Sequence, residues 1–363
     1  MESEEDAWAA FCSKSPVATP RSHDAIAQGL ALKQPEQLTR GHTGEVTHSR
    51  IFTPSPDNPA GSVHRQYPHP MPKAITVRLI GGLGNQLFGY YAGAALAAHH
   101  RTTLRLDTSW TRHGITDHGI EILRFDLPGE WIPNDGLKAK LSAPGTIPGR
   151  AVAKALRDIP AMRKPLRIHE APGVGHDPTL LSQPPGTRLR GYFQSWRTVQ
   201  NAVDSGYPRR PSLKQPSTWL EQAIERAASK QPLAVHVRRG DYKLVDEFGL
   251  LGPAYYEPAI EWLRSEGVDG PIWLFSDEPD VARQALGRYA GQVEAIASPD
   301  GPATEMLAMS YAAGNVIANS TFSWWGAWMA VKGTPVVAPD PWFASGPTIE
   351  GLIPPEWTRL TGW

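Results

Sequence analysis

The sequence predicts an α/β protein built on parallel sheets, and three observations predict it. In the second half, short buried-type apolar runs alternate with helical segments of about ten residues, the pattern of a parallel sheet wrapped by helices. Near the start of the patterned region, the β-branched run 74–80 (AITVRLI) stops at Gly81-Gly82 and passes directly into a helical run. The length of 363 residues also exceeds what one small core organises, which predicts two domains plus extensions.

In chain order, residues 1–70 are rich in Pro, Ser, His and Gln and lack an apolar period, so they read as a disordered N-terminal extension. Met71 immediately precedes the first strand, which suggests that the tail extends from a mis-assigned start. The run 74–80 is a strand ended by its glycines. The helix that follows, 85–100 (NQLFGYYAGAALAAHH), places Leu87, Tyr91, Ala94, Ala95 and Ala98 on one face. Leu79 to Ala98 carries no charge over twenty residues, yet its five glycines with Asn85 and Gln86 suit a turn and helix better than a membrane span. Residues 128–186 are broken by prolines into short helices and loops, with 151–159 (AVAKALRDI) the clearest helix, and 188–193 (RLRGYF) is a short strand.

The second half alternates cleanly. A capping box, Thr218 with Glu221, opens a helix through Ala228. Strands are expected at 232–238 (PLAVHVR), 271–275 (PIWLF), 315–319 (NVIAN) and 335–339 (PVVAP), with helices at 254–266, 280–289, 304–313 and the tryptophan run 319–328 (NSTFSWWGAW).

Composition excludes several classes. Basic and acidic residues number 36 each, so there is no electrostatic footprint for nucleic acid or an anionic membrane. The single cysteine, Cys12, rules out an intramolecular disulfide and a cysteine-rich metal site. The acidic N-terminus lacks the basic-then-apolar order of a signal peptide, so a cytoplasmic protein without an integral membrane segment is expected, peripheral association aside.

Ligands of parallel sheets bind outside the carboxyl ends of the strands, which singles out four segments. After the first strand, Gly82 and Gly84 begin like a dinucleotide fingerprint, but Leu87 stands at the third glycine position. Gly84 to Gly89 has P-loop spacing, but Tyr90-Tyr91 replace the Lys-Ser/Thr pair. What remains is a glycine turn whose helix offers free N–H groups to an anion or a sugar hydroxyl, or a tight turn only. After 232–237 come Arg238, Arg239, Gly240 and Asp241, with His236 and Arg238 on one strand face. Paired guanidinium groups fit a diphosphate through bidentate bonds; an internal pair with Asp241 is the alternative. After 271–275, Asp277 either accepts from a base edge or a ribose hydroxyl, or caps the next helix. In the tryptophan run, Ser320, Thr321 and Ser323 occupy a helix N-terminus suited to an anion. Trp324 and Trp328, four apart, read as core rather than as a sugar platform. Asp-x-Asp, His-Glu-x-x-His and Gly-x-Ser-x-Gly are all absent from the sequence, so arginines rather than a metal would balance a diphosphate.

These segments together resemble the α-1,2-fucosyltransferases of glycosyltransferase family eleven. The matching runs are GGLGNQLFGYYAGAALA, RGYFQSW, HVRRGDY, WLFSDEP and EMLAMSYAAGNVIANSTFSWWGAWM, with PWF after the last strand, covering 77 to 343. The resemblance implies a GT-B-like fold: an acceptor-side α/β domain at 73–210 and a Rossmann-like nucleotide-sugar domain at 211–363. It implies GDP-fucose as donor and inverting transfer to the 2-hydroxyl of a terminal galactose on a glycan, with no cofactor and no metal. It assigns Arg238 and Arg239 to the diphosphate and Asp277 to guanine. Asn319, Ser320, Thr321, Phe322 and Ser323 would cradle the phosphates, and Gly82, Gly84, Asn85 and Gln86 would line the cleft. Asp241 and His236 are the candidate bases, although late proton transfer to the leaving phosphate needs none. Two other readings are a fucosyltransferase of different linkage or with a protein acceptor, and a non-catalytic sugar-binding protein.

Overall fold

The computed structural model describes residues 73–108, 119–132, 167–244, 247–345 and 349–363. The expected tail 1–70 and the expected helix 151–159 lie outside them. The described residues belong to one compact unit, and within it stand two parallel sheets.

The first sheet comprises β1 (Ile75–Arg78), β2 (Leu104–Asp107), β3 (Glu130–Ile132), β4 (Ile168–Glu170) and β5 (Arg188–Arg190), in the order β3-β2-β1-β5-β4. The second comprises β6 (Leu233–Val237), β7 (Ile272–Ser276), β8 (Val293–Ala295), β9 (Gly314–Val316), β10 (Val336–Pro339) and β11 (Thr358–Leu360), in the order β11-β10-β9-β6-β7-β8. Every strand pair is parallel. Two α/β sheets of this kind are the GT-B-like architecture that the motifs implied. Each sheet reverses its strand order once, between β1 and β5 and between β6 and β9, and such switch points are where parallel sheets open a crevice.

The helices are α1 (Leu83–His99), α2 (Trp196–Asp204), α3 (Thr218–Lys230), α4 (Pro253–Ser265), α5 (Pro279–Ala285), α6 (Pro302–Met309) and α7 (Thr321–Trp328). Strand β6 is buried at every position, as a central parallel strand covered on both faces must be. Helix α1 was expected to bury one face, but it is buried almost all round from Leu83 to Ala97, with Ala98 half-buried. Its small residues explain the difference. A methyl group on Gly93 would stand 2.6 Å from Leu104, and one on Gly84 would stand 2.5 Å from the backbone of Thr321, so neighbours pack against α1 from both sides.

Two local expectations are corrected. The cap of α3 is Ser217, not Thr218: its hydroxyl accepts from the N–H of Leu220 at 3.0 Å and donates to Asp300. The strand expected at 188–193 ends at Arg190, because Gly191 (φ 119°) and Phe193 (φ 48°) leave extended geometry.

Candidate functional site

Chain order brings the expected segments together at the two switch points. At the second sheet, Arg238 and Arg239 leave β6 while the run from Asn319 leaves β9, and β6 and β9 are neighbours. At the first sheet, Gly81-Gly82 leave β1 beside the loop that leaves β5. The N-termini of α1 and α7 then meet, since Gly84 touches Thr321 and the Trp325 indole donates to the Gly84 carbonyl at 2.9 Å.

The arginine loop is held by Asp277. One carboxylate oxygen pairs with Nη1 of Arg238 at 3.0 Å, and the other accepts from the Arg239 N–H at 3.0 Å. At Gly240 a methyl group would lie 2.5 Å from the same carboxylate, so a larger residue there would have to push Asp277 aside. Arg238 also lies over the ring of Tyr242 at 5.6 Å. Asp277 therefore does not cap α5; the hydroxyl of Ser276 accepts from the Glu278 N–H instead. Arg238 thus has an ion-pair partner in Asp277; the alternative pair with Asp241 falls outside the described residues. Asp241 opens the 3-10 turn Asp241–Leu244, and its side chain lies outside the described residues.

His236 is 3 % exposed, packed 5.3 Å from the ring of Phe322, and its Nδ1 has no hydrogen-bond partner among the described residues. Burial first, and then the neighbouring Arg238, push its pKa down to about 3. It is a neutral imidazole at physiological pH and a poor proton acceptor, a correction to its candidacy as base.

The α7 start divides its residues into two groups. Ser320 is the N-cap, its Oγ accepting from the Phe322 N–H at 3.3 Å. Ser323 is fully buried and donates to the carbonyls of Ser320 and Ala318. Asn319 is 2 % exposed; its amide donates to the Phe248 carbonyl at 2.8 Å and its own carbonyl accepts from Tyr242 at 2.8 Å. These three build the segment, so their side chains are not free cradle groups. Thr321 and Phe322 are half-buried; Thr321 lies against Gly84 and Phe322 against His236.

On the other side, Gly82 caps α1 and Asn85 accepts from the Gln194 amide at 2.8 Å. Gln86 is fully buried and does not line the cleft: its amide donates to the carbonyls of Gly81 and Gly119, both at 2.9 Å, and its oxygen accepts from Ile122 N–H. Gln194 and Tyr242 were not singled out from sequence. Gln194 sits inside the RGYFQSW run and Tyr242 ends the HVRRGDY run, and no spacing rule marks either.

Among the described residues no group of three or more His, Cys, Asp or Glu is placed to hold a metal ion, and no helix is long and apolar enough to cross a membrane. Chemically, the site offers two arginines at the end of β6, Arg238 paired with Asp277, on a loop whose Tyr242 donates to the Asn319 carbonyl just before α7, and the starts of α7 and α1 meet at Thr321 and Gly84. That is an arrangement for stabilising negative charge.

Residues 219–361 match the family described as Glycosyl transferase family 11. An α-1,2-colitosyltransferase of Escherichia coli is 24 % identical over 285 residues, covering 74 % of this chain and 92 % of that protein. The O-antigen biosynthesis glycosyltransferase WbnK of Escherichia coli is 35 % identical over 133 residues, covering 35 % of this chain and 44 % of that protein. Among solved structures, the fucosyltransferase NodZ from Bradyrhizobium aligns at a TM-score of 0.40 and 14 % identity, over 71 % of this chain and 93 % of that one.

Proposed function

We propose that this chain is a glycosyltransferase of family 11, and that it transfers fucose from GDP-fucose to the 2-hydroxyl of a terminal galactose with inversion. The observation that supports this most is the arginine loop at the end of β6, braced by Asp277 and joined to the segment before α7 by the Tyr242 hydroxyl on the Asn319 carbonyl. As the bond between the fucose anomeric carbon and the phosphate oxygen breaks, negative charge grows on GDP. Arg238, Arg239 and the helix N–H groups stabilise that charge more in the transition state than in the bound donor, which is the condition for catalysis. The galactose oxygen attacks the opposite face of an oxocarbenium-like carbon. Its proton leaves late, to the departing phosphate oxygen, and buried His236 takes no part.

Asp277 acts in this reading as a positioning residue for Arg238. The charge balance supplied by arginine supports transfer without a metal ion, so EDTA is expected to leave the rate unchanged; a strict metal requirement would contradict it. The test of the whole reading is incubation with GDP-fucose, and with the corresponding colitosyl donor, against a panel of β-galactosides, the product linkage being assigned by NMR. Arg238→Ala is expected to lose at least about a hundredfold in transfer, a single charge-stabilising donor being worth that much. Near-wild-type transfer by that variant would overturn the arginine's role, and a product of other linkage would overturn the 2-hydroxyl assignment. A relative named for colitose transfer makes the donor comparison necessary.

A further inference from the structure

Loops leaving the carboxyl ends of β4, β5 and β10 meet at a histidine that the donor chemistry does not use. His176 lies in the loop after β4, and its N–H donates at 3.0 Å to the carbonyl of Glu350, in the segment after β10. Its Nδ1 stands 3.2 Å from the hydroxyl of Ser195, a buried residue in the loop after β5 that caps α2. Glycines allow the approach. A methyl group on Gly175 (φ 112°) would lie 2.7 Å from the Glu350 carbonyl oxygen, and one on Gly351 (φ 73°) would lie 2.9 Å from Cβ of His176. The loop is anchored to β4 as well: buried Asp177 accepts from Nε2 of His169 at 2.6 Å and from the Thr179 N–H at 2.9 Å.

One nitrogen of this ring is held by Ser195, whereas Nε2 makes no hydrogen bond with the described residues and is not among their buried atoms. A histidine fixed through one nitrogen presents the other in a set direction, as donor or acceptor. The position suits the acceptor rather than the donor. Strands β10 and β6 lie on opposite sides of β9, so His176, joined to the segment after β10, stands away from the arginine loop. Through Ser195 it adjoins Gln194, which holds Asn85 in the first turn of α1, beside the Gly84–Thr321 contact. We propose that His176 is an acceptor-binding residue whose Nε2 hydrogen-bonds the sugar to which the terminal galactose is attached. This rests on the transferase reading for the word acceptor, but the sugar contact itself does not.

The probes are methyl β-galactoside and the methyl β-glycosides of galactosyl-glucose, galactosyl-N-acetylglucosamine and galactosyl-N-acetylgalactosamine, with the full chain. Calorimetric binding of each is measured with and without GDP, alongside transfer kinetics from GDP-fucose. Wild type is expected to favour at least one disaccharide over the monosaccharide by about 2- to 10-fold, the worth of one neutral hydrogen bond. His176→Asn keeps an amide atom near the Nδ1 position for Ser195 but lacks Nε2, and is expected to erase that preference through KM rather than kcat, with GDP affinity unchanged. His176→Gln, whose amide reaches the Nε2 position, is expected to restore part of it. Equal binding of monosaccharide and disaccharides by wild type overturns the proposal without any variant. So does a preference that survives in His176→Asn, and so does a uniform loss toward every sugar, which marks a structural role only. Absence of transfer together with a His176-dependent disaccharide preference would instead sink the transferase reading and leave the sugar site standing.

Discussion

Asp277→Asn separates two roles for one carboxylate. The variant keeps the shape but removes the charge that fixes Arg238 at 3.0 Å and weakens the bond from the Arg239 N–H, also at 3.0 Å. Charge-assisted hydrogen bonds are each worth about 1.5–3 kcal/mol. The Arg238 and Asp277 side chains are 21 % and 24 % exposed, so solvent screening reduces this, and about 1–2 kcal/mol of loop positioning is at stake. That corresponds to a fall of about 5- to 30-fold in kcat/KM for the donor. The assay is transfer at subsaturating GDP-fucose, paired with titration of GDP and of inosine diphosphate, which lacks the guanine amino group. If Asp277 braces the loop, affinity for both nucleotides falls by the same factor, and the loss is not additive with that of Arg238→Ala. If it reads guanine, the wild-type preference for GDP over inosine diphosphate collapses in the variant. That result, or transfer within twofold of wild type, would refute the bracing argument.

Two further outcomes follow from packing and burial. The folded state keeps His236 neutral down to about pH 3, whereas the unfolded chain takes up the proton near 6.5. Between these values the unfolded state binds more protons, so stability present above pH 6.5 is lost as pH falls, by about 2 kcal/mol at pH 5. Urea unfolding at pH 7 and 5 is expected to show that loss in wild type and not in His236→Phe; equal pH dependence in both would refute it. Gly84→Ala is expected to destabilise by about 1–3 kcal/mol, because its methyl group meets the Thr321 backbone at 2.5 Å. Gly89→Ala in the same helix, where the nearest atom is 3.7 Å away, is expected to gain about 0.5–1 kcal/mol in thermal melts.

The sequence made the middle of the second sheet readable because β6, β7 and β10 are largely apolar runs buried along almost their whole length. Strands β2, β3, β4, β8 and β11 are three or four residues long and carry charge, as in Leu104–Asp107, so no period distinguishes them from loops. The candidate residues were legible one by one, since chemistry shows in residue type and strand ends show in the pattern. Their partners were not. Asp277 reaches back 38 residues to Arg239, and Trp325 reaches back 241 residues to Gly84. Gln86 illustrates the same limit: beside a glycine turn a polar residue looks like a ligand contact, and only the fold shows its amide spent on Gly81, Gly119 and Ile122.

The tryptophans after the α7 cap follow from that long reach. Trp324, Trp325 and Trp328 are all at most 1 % exposed, so none offers a face to a sugar. Trp324 stacks on Trp328 at 5.2 Å and donates to the Leu352 carbonyl at 2.9 Å. Trp325 packs on Tyr91 of α1 at 4.9 Å and donates to Gly84, in the first turn of α1. An indole is suited to this position because it fills a core and still carries one directed donor. A phenylalanine would fill the space but leave the Gly84 carbonyl without that bond. The helix that presents its N-terminus to the crevice is therefore tied, through its own second turn, to the helix that presents the other. Relative motion of the two N-termini would have to break a buried hydrogen bond and open a packed aromatic cluster. The convergence of the two helix starts is thus a fixed feature of the fold, and the capping residues Ser320 and Gly82 are placed by the apolar ones that follow them.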